Sequence, residues 1–267
     1  PYEGALTKGL VSPLVRALYG VRLRQPAAAE FACSPRLIDA LLEEDIWERE
    51  GAPVGIDVWL ATSAASGDFR LAEASLGART HHTRAEEALD LATTVAQLVG
   101  SLFVDLETRA AIWQRKRGSV ALQLFGEPGA AAAASQVAVD PVRLIESYRL
   151  GYRELRDLWT WILPPRTIVE LGRLMNGPPA QFRLDDELWA RVIYDFALGH
   201  RLRVRSRDHL LRSLAPLYLG WLASFILQVQ TLGARAVEER VDQLGIAFEA
   251  QKPYLISRWR WPERLRT

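Results

Sequence analysis

Proline and glycine punctuation cuts the second half of this chain into helix-length pieces, and no other feature constrains the fold as much. Pro164-Pro165, Gly177-Pro178-Pro179 and Gly233 interrupt stretches whose apolar residues recur at helical spacing. Proline lacks the N–H that a helix interior needs, so such pairs mark helix ends. The spacing predicts helices over roughly 141–162, 165–175, 185–199, 207–231 and 233–250. Asp140-Pro141 and Asp185-Asp186 offer N-terminal starts. Within this series Leu214 to Leu227 is the most apolar segment, but it contains Pro216 and Gly220 and runs into Gln228 and Gln230. Its length falls short of the roughly 20 residues that span a bilayer. It reads as a buried core helix, and no membrane span is expected.

The first hundred residues read differently. Leu6, Leu10, Leu14, Val15, Leu18 and Tyr19 predict a helix that Gly20 stops, and Val21 to Arg24 alternates as a short strand does. Ser34-Pro35 opens a further helix, with serine at the N-cap and proline at the first position. A helix follows from Gly55-Ile56-Asp57 to Gly67, then a strand over Phe69 to Leu76, then a strong helix from Glu86 to Phe103. From about residue 105 onward the chain reads as all-helical, with a Pro, Gly and Ala linker over 126–135. The expected organisation is therefore a small α/β part over 1–105 and a helical domain over 106–267, mostly helical overall.

With 267 residues, 49% hydrophobic and 24% charged, the chain can bury a substantial core. A formal net charge of +1 says little about partners by itself, but a nucleic-acid binder would carry a clear excess of Lys and Arg on one face, and no nucleic-acid partner is expected. Arg201, Arg203, Arg205 and Arg207, with His209, form a local basic run whose spacing of two does not share one helix face, and it reads as a solvated loop. A second basic run, Arg258, Arg260, Arg264 and Arg266, is interleaved with Trp259 and Trp261. Trp159, Trp161 and Trp189 read as core rather than as an interface. The lone Cys33 leaves no intramolecular disulfide, and Pro1-Tyr2-Glu3-Gly4 has no signal-peptide character, so a cytoplasmic setting is expected. Met175 is the single methionine, and two strands make little sheet. Both observations lead to the expectation of a piece of a longer chain.

Walker A, Rossmann glycine, His-Glu-x-x-His, Cys-x-x-Cys and Gly-x-Ser-x-Gly motifs are all missing from the sequence. Three short segments carry what chemistry there is. In Gln25-Pro26-Ala27-Ala28-Ala29-Glu30 a turn of tiny residues allows close backbone approach, and Glu30 offers a carboxylate beside it; a solvated Glu30 in a tight turn is the plainer reading. Asp57 is either the N-cap of its helix or a carboxylate that accepts from a substrate hydroxyl. His81 and His82, after Leu76-Gly77-Ala78-Arg79-Thr80, are either solvated or a ligand for a divalent ion held otherwise by oxygen atoms.

In their order and spacing the three segments resemble the family of GT-A-fold nucleotide-sugar glycosyltransferases that includes mannosylglycerate synthase and glucosyl-3-phosphoglycerate synthase. There a Gln-Pro-x-Gly-Gly-Glu turn, a Gly-x-Asp helix start and a Leu-Gly-x-Lys/Arg-x-His strand end follow one another, and a helical region completes the chain. The resemblance spans about residues 5–105; Pro216-Leu217-Tyr218 and Lys252-Pro253-Tyr254-Leu255 lie in a less specific helical extension. It implies a Mg²⁺ or Mn²⁺ ion on His81, with His82 as the alternative. It further implies Asp57 and Glu30 as catalytic carboxylates, and Gln25, Pro26, Ala27, Ala28, Ala29 and Arg79 as substrate-binding residues. The implied substrates are a nucleotide-diphosphate sugar and a small hydroxylated acceptor, glycerate-like at family level. Apart from the resemblance, the helical region offers a surface for a homodimer, with the oligomeric state left open. Two departures stand out: Ala28-Ala29 replaces the family's Gly-Gly, and no Asp-x-Asp occurs in the chain. The second leads to the expectation that this chain alone does not transfer sugar.

Overall fold

The computed structural model describes residues 3–27, 30–44, 55–67, 69–76, 91–126 and 139–262. Helix dominates, as the sequence pattern implies. Helix α1 (Glu3–Leu6), a π-helical turn (Thr7–Val11) and α2 (Ser12–Tyr19) run on as one rod. Its apolar stripe, Leu6, Leu10, Leu14, Val15, Leu18 and Tyr19, is buried throughout. Gly20 ends it at φ +73°, a left-handed conformation that a side chain would strain, while its N–H still bonds the Arg16 carbonyl. The chain then enters β1 (Val21–Arg22). In α3 (Pro35–Leu42) the Ser34 side chain accepts from the Leu37 N–H at 3.3 Å, the cap expected from Ser34-Pro35. Helix α4 (Ile56–Ser66) is capped by Gly55 at φ +97°, so Asp57 sits one step inside, in the first turn, and is not the N-cap. The strand expected over Phe69 to Leu76 is shorter, β2 (Ala72–Ala74). Helix α5 (Leu91–Thr108) continues past the C-terminal end expected for it, and α6 (Ala110–Trp113) follows.

The expectation for the second part of the chain fails in one respect. The part beyond residue 105 is not all-helical: β3 (Val120–Ala121) and β4 (Gln123–Phe125) lie within it. Strand β3 pairs parallel with β1 in the register Val21↔Val120, and β4 pairs parallel with β2 in the register Ala72↔Gln123. Residues 120–125 thus lie between the two strands of the first part and satisfy backbone groups on both. The physical reason is that a short, mostly apolar run such as 120–125, interrupted only by Gln123, fits helix and strand alike until its partner is known.

The remaining helices are α7 (Pro141–Trp159), α8 (Pro165–Arg173), α9 (Asp186–Leu202), α10 (Arg207–Ser213), α11 (Ala215–Val229) and α12 (Ala234–Arg260). Asp140 caps α7 by accepting from the Val142 N–H at 2.9 Å. The single helix expected over 207–231 breaks at Leu214, with Pro216 in the first turn of α11. Helix α9 runs on through Leu202, so the basic run beginning at Arg201 starts on a helix end instead of a loop.

Buried side chains from both sides of residue 105, among them Leu10, Phe103, Trp189, Trp221 and Phe248, form one core cluster. At its centre Trp221 stacks on Trp189, 6.0 Å between ring centroids, and on Phe225 at 5.2 Å. The Trp189 indole donates to the Gly9 carbonyl in the π-helical turn at 2.8 Å, and a methyl group on Gly9 would fall 2.1 Å from the Trp221 ring. Trp159 is fully buried as well, whereas Trp161 is 63% exposed beneath the Arg205 guanidinium, 4.2 Å above its ring. The span Arg207–Val229 is long and apolar enough to cross a membrane by length and composition, and 67% of its apolar window is buried in this core.

Candidate functional site

Because both strand pairs are parallel to the same segment, β1 and β2 run in one direction. Gln25-Pro26 follows β1 and Leu76 follows β2, so both leave from the carboxyl edge of the strands. Parallel sheets bind ligands outside that edge. A backbone-to-side-chain bond ties the two strands together there: the Arg24 N–H donates to Glu73 Oε1 at 2.7 Å, with the Arg24 Nε 3.9 Å from the other Glu73 oxygen.

Beside this edge is a cavity of about 510 Å³, walled by Arg22 to Gln25, by Glu73, by Ala121, Leu122 and Leu124, and by α2 and α12. Its polar lining has a fixed part and a loose part. Arg16, on α2, is fixed: its guanidinium donates to Asp242 Oδ1 at 2.6 Å and to Glu249 Oε2 at 3.2 Å, both on α12. That approach depends on Gly245, since a methyl group there would lie 2.6 Å from the Arg16 Nη1. Ser12 fixes the end of β1 by donating its hydroxyl to the carbonyls of Leu23 and Arg24. Arg24, with a largely exposed side chain, Lys8 and Gln25 make up the loose part. The cavity is thus mixed in charge, with Arg22, Arg24 and Glu73 on the sheet side and Arg16, Glu238 and Asp242 on the helices opposite. It suits a small polar ligand that carries both hydroxyls and an anionic group.

A second polar group lies behind α4. Arg109 donates to Asp105 at 2.7 Å, to Glu44 at 2.9 Å and to Ser63 at 2.6 Å, and the Tyr19 hydroxyl donates to Asp105. Burial pushes the Asp105 carboxyl above the usual carboxylate range despite the Arg109 charge beside it, and burial with the Asp105 charge pushes the Tyr19 phenol well up. The group holds Glu44, just past the end of α3, and Ser63 of α4 against Arg109 at the end of α5 and Tyr19 of α2, and so fixes the helix that carries Asp57.

The residues singled out in the sequence are distributed unevenly. Gln25 lines the cavity; Pro26 is buried and Ala27 half-buried against the core, so both shape the turn and present little to a ligand. Glu30 is exposed and Asp57 half-buried, and neither lines the cavity with Gln25. Ala28, Ala29, Arg79, His81 and His82 lie outside the described residues. Among the described residues no group of three or more His, Cys, Asp or Glu side chains could hold a metal ion. Sequence reasoning missed Arg24, Glu73 and the Arg16 pair with Asp242. The alternation of Val21 to Arg24 hinted at Arg22 and Arg24, but nothing local to Glu73 or Asp242 connects them to it.

No family model, no curated protein and no solved structure matches this chain.

Proposed function

We propose that this chain forms the acceptor side of a metal-dependent glycosyltransferase, which moves a sugar from a nucleotide-diphosphate sugar to a small hydroxylated acceptor. The observation that carries the reading is the common edge: the Gln25-Pro26 segment and the strand leading to Leu76-Gly77 leave one carboxyl edge of parallel strands, tied by Arg24 and Glu73. They are the first and third of the segments whose order gives the resemblance, and the cavity beside them is of mixed charge.

In this reading Gln25 and Arg24 bind the acceptor in the cavity and Glu73 holds Arg24 in place. Asp57, at the start of α4, lies outside the lining of that cavity, so the role the resemblance gives it, accepting from the acceptor hydroxyl and orienting it before the bond forms, requires an acceptor that extends beyond the cavity. Negative charge develops on the departing nucleoside diphosphate, and fixed cations answer it. Arg79 serves there, and a Mg²⁺ or Mn²⁺ ion on His81 would supply the rest. With no Asp-x-Asp in the sequence, the other metal and donor contacts come from a further donor-binding half, upstream or in a partner chain. A glycerate-like acceptor is the family-level choice.

A second reading, a non-catalytic relative that binds without transferring, is favoured by Ala28-Ala29 where the family has Gly-Gly, because two added methyl groups narrow the acceptor turn. Calorimetric titration of Mn²⁺ into the full-length parent, with and without a panel of nucleotide sugars, separates the two. Metal-dependent sugar-nucleotide binding that disappears in His81→Ala supports the transferase. Binding that survives the substitution moves the ligand role to His82 or elsewhere. A wild type that binds no nucleotide sugar leaves the non-catalytic reading.

A further inference from the structure

A second cavity, of about 470 Å³, lies at the other end of α12, and its lining is unlike that of the first. Four basic side chains converge on it: Lys116 and Arg117 from the turn before β3, and Lys252 and Arg260 from α12. One carboxylate, Glu249, faces them; its Oε2 is engaged by Arg16, while its buried Oε1 has no hydrogen-bond partner among the described residues. Lys252 is only 6% exposed. Its ammonium donates to the Lys116 carbonyl at 2.9 Å and, at a longer 3.4 Å, to the Leu18 carbonyl. An ammonium has three N–H groups, so these carbonyls leave one for another acceptor. Burial together with the Arg117 charge lowers the Lys252 pKa to about 8, although Glu249 pulls the other way.

The two arginines are held side by side by one residue. Arg117 Nη1 donates to the Gln114 backbone carbonyl at 3.3 Å, and Arg260 Nε donates to the Gln114 side-chain oxygen at 2.8 Å. The rest of both guanidinium forks has no protein acceptor among the described residues. A cap on the end of α2 accounts for Lys252 alone. It does not account for three further cations in the same lining, where Lys252 feels the charges of Arg117 and Lys116 and one carboxylate leaves positive charge in excess. Trp261, 60% exposed, closes one side with an apolar ring.

We infer that this cavity is an anion site, separate from the cleft at the sheet edge, and that it takes the phosphate group of a small soluble molecule. Guanidinium forks match phosphate oxygens in pairs, and the remaining Lys252 N–H supplies a point charge at the base. The volume accommodates more than a bare phosphate.

The test is calorimetric titration of inorganic phosphate, and separately of adenosine monophosphate, into the full chain at pH 7 and constant ionic strength. Lys252 is buried, so the variant that reads the site is the exposed pair Arg117→Gln with Arg260→Gln. A second double variant, Arg153→Gln with Arg156→Gln on α7, removes the same charge elsewhere. Saturable binding of phosphate to the wild type, weakened about tenfold or more in the first double variant and unchanged in the second, is the expected result. Tighter binding of the monophosphate that Trp261→Ala abolishes identifies a nucleotide; equal affinity for both anions identifies the phosphate group alone. No saturable binding by the wild type, or equal weakening in both double variants, overturns the inference.

Discussion

In the helical bundle Trp221 lies against Trp189 and Phe225, and the Cβ that Gly220 lacks would fall 2.5 Å from Tyr148. In the sheet, by contrast, Ala72, Ala74, Val120 and Phe125 are exposed, and the contacts that hold the edge together are polar ones, Arg24 to Glu73 and Ser12 to Leu23. The bundle is close-packed as protein interiors are, where the removal of a side chain leaves a cavity that neighbours fill poorly. The sheet joins the core only through Val21 and the half-buried Leu23, Leu71 and Leu122, and carries Arg24 and Glu73 at the cavity. Stability is concentrated in the first region and the capacity to bind polar ligands in the second.

Substitutions can break or sharpen that contrast. The largest effect belongs to the bundle: Trp221→Ala destabilises by about 3–5 kcal/mol, read from the urea midpoint with an unchanged slope. A loss below about 1 kcal/mol would mean that the aromatic stack is not the centre of stability. Gly245→Ala comes next, at about 1–3 kcal/mol, because the new methyl group displaces Arg16 from Asp242 and Glu249. The same substitution reshapes the cleft, so it joins the two regions where the other substitutions separate them.

A third prediction concerns the buried contact between α9 and α12. The Asp195 carboxylate lies 2.8 Å from Arg258 Nε and accepts from the Tyr254 hydroxyl, with Arg191 nearby. Burial outweighs the Arg258 charge and pushes its pKa up to about 7, above the ordinary 3.8. The folded state then holds a proton that the unfolded state releases, so this group's contribution to stability falls as pH rises from about 4 to about 7. Asp195→Asn removes that dependence. The gap in urea midpoint between variant and wild type therefore shifts in favour of the variant over the same interval, and a gap constant with pH would refute the assignment.

The smallest expected effect lies at the sheet edge. Arg24→Gln keeps its backbone bond to Glu73 and changes stability by less than about 1 kcal/mol, since an exposed, loosely paired arginine adds little. A larger loss in thermal or urea unfolding would show that the edge is a structural element in its own right.

The same division explains what could be read from the sequence. Local signals came through: Ser34-Pro35 starts a helix, Gly20 stops one, and Pro164-Pro165 separates α7 from α8. Each depends on a few neighbouring residues and a fixed backbone requirement. The strand at 120–125 did not come through, because Val120-Ala121-Leu122-Gln123-Leu124-Phe125 acquires its identity from β1 and β2 far upstream. Asp57 was legible as a residue at a helix start, but the left-handed Gly55 displaced it from the cap. The cleft was legible only at Gln25. Glu73 and Asp242 reach it from separate elements, and spacing along the chain carries no trace of that meeting.

The placing of residues 120–125 between β1 and β2 also sets an order of events during synthesis. Val21 waits for Val120, about a hundred residues later, before its backbone is paired on that side. A ribosome adding roughly 5–20 residues per second completes β1 and β2 seconds before the strand that joins them. Through that interval both strands present unpaired edges, the surface most open to pairing with another nascent chain. Because such distant pairings form slowly, the sheet edge is expected to mature late, although the Arg16 contact with Asp242, 226 residues apart, closes later still.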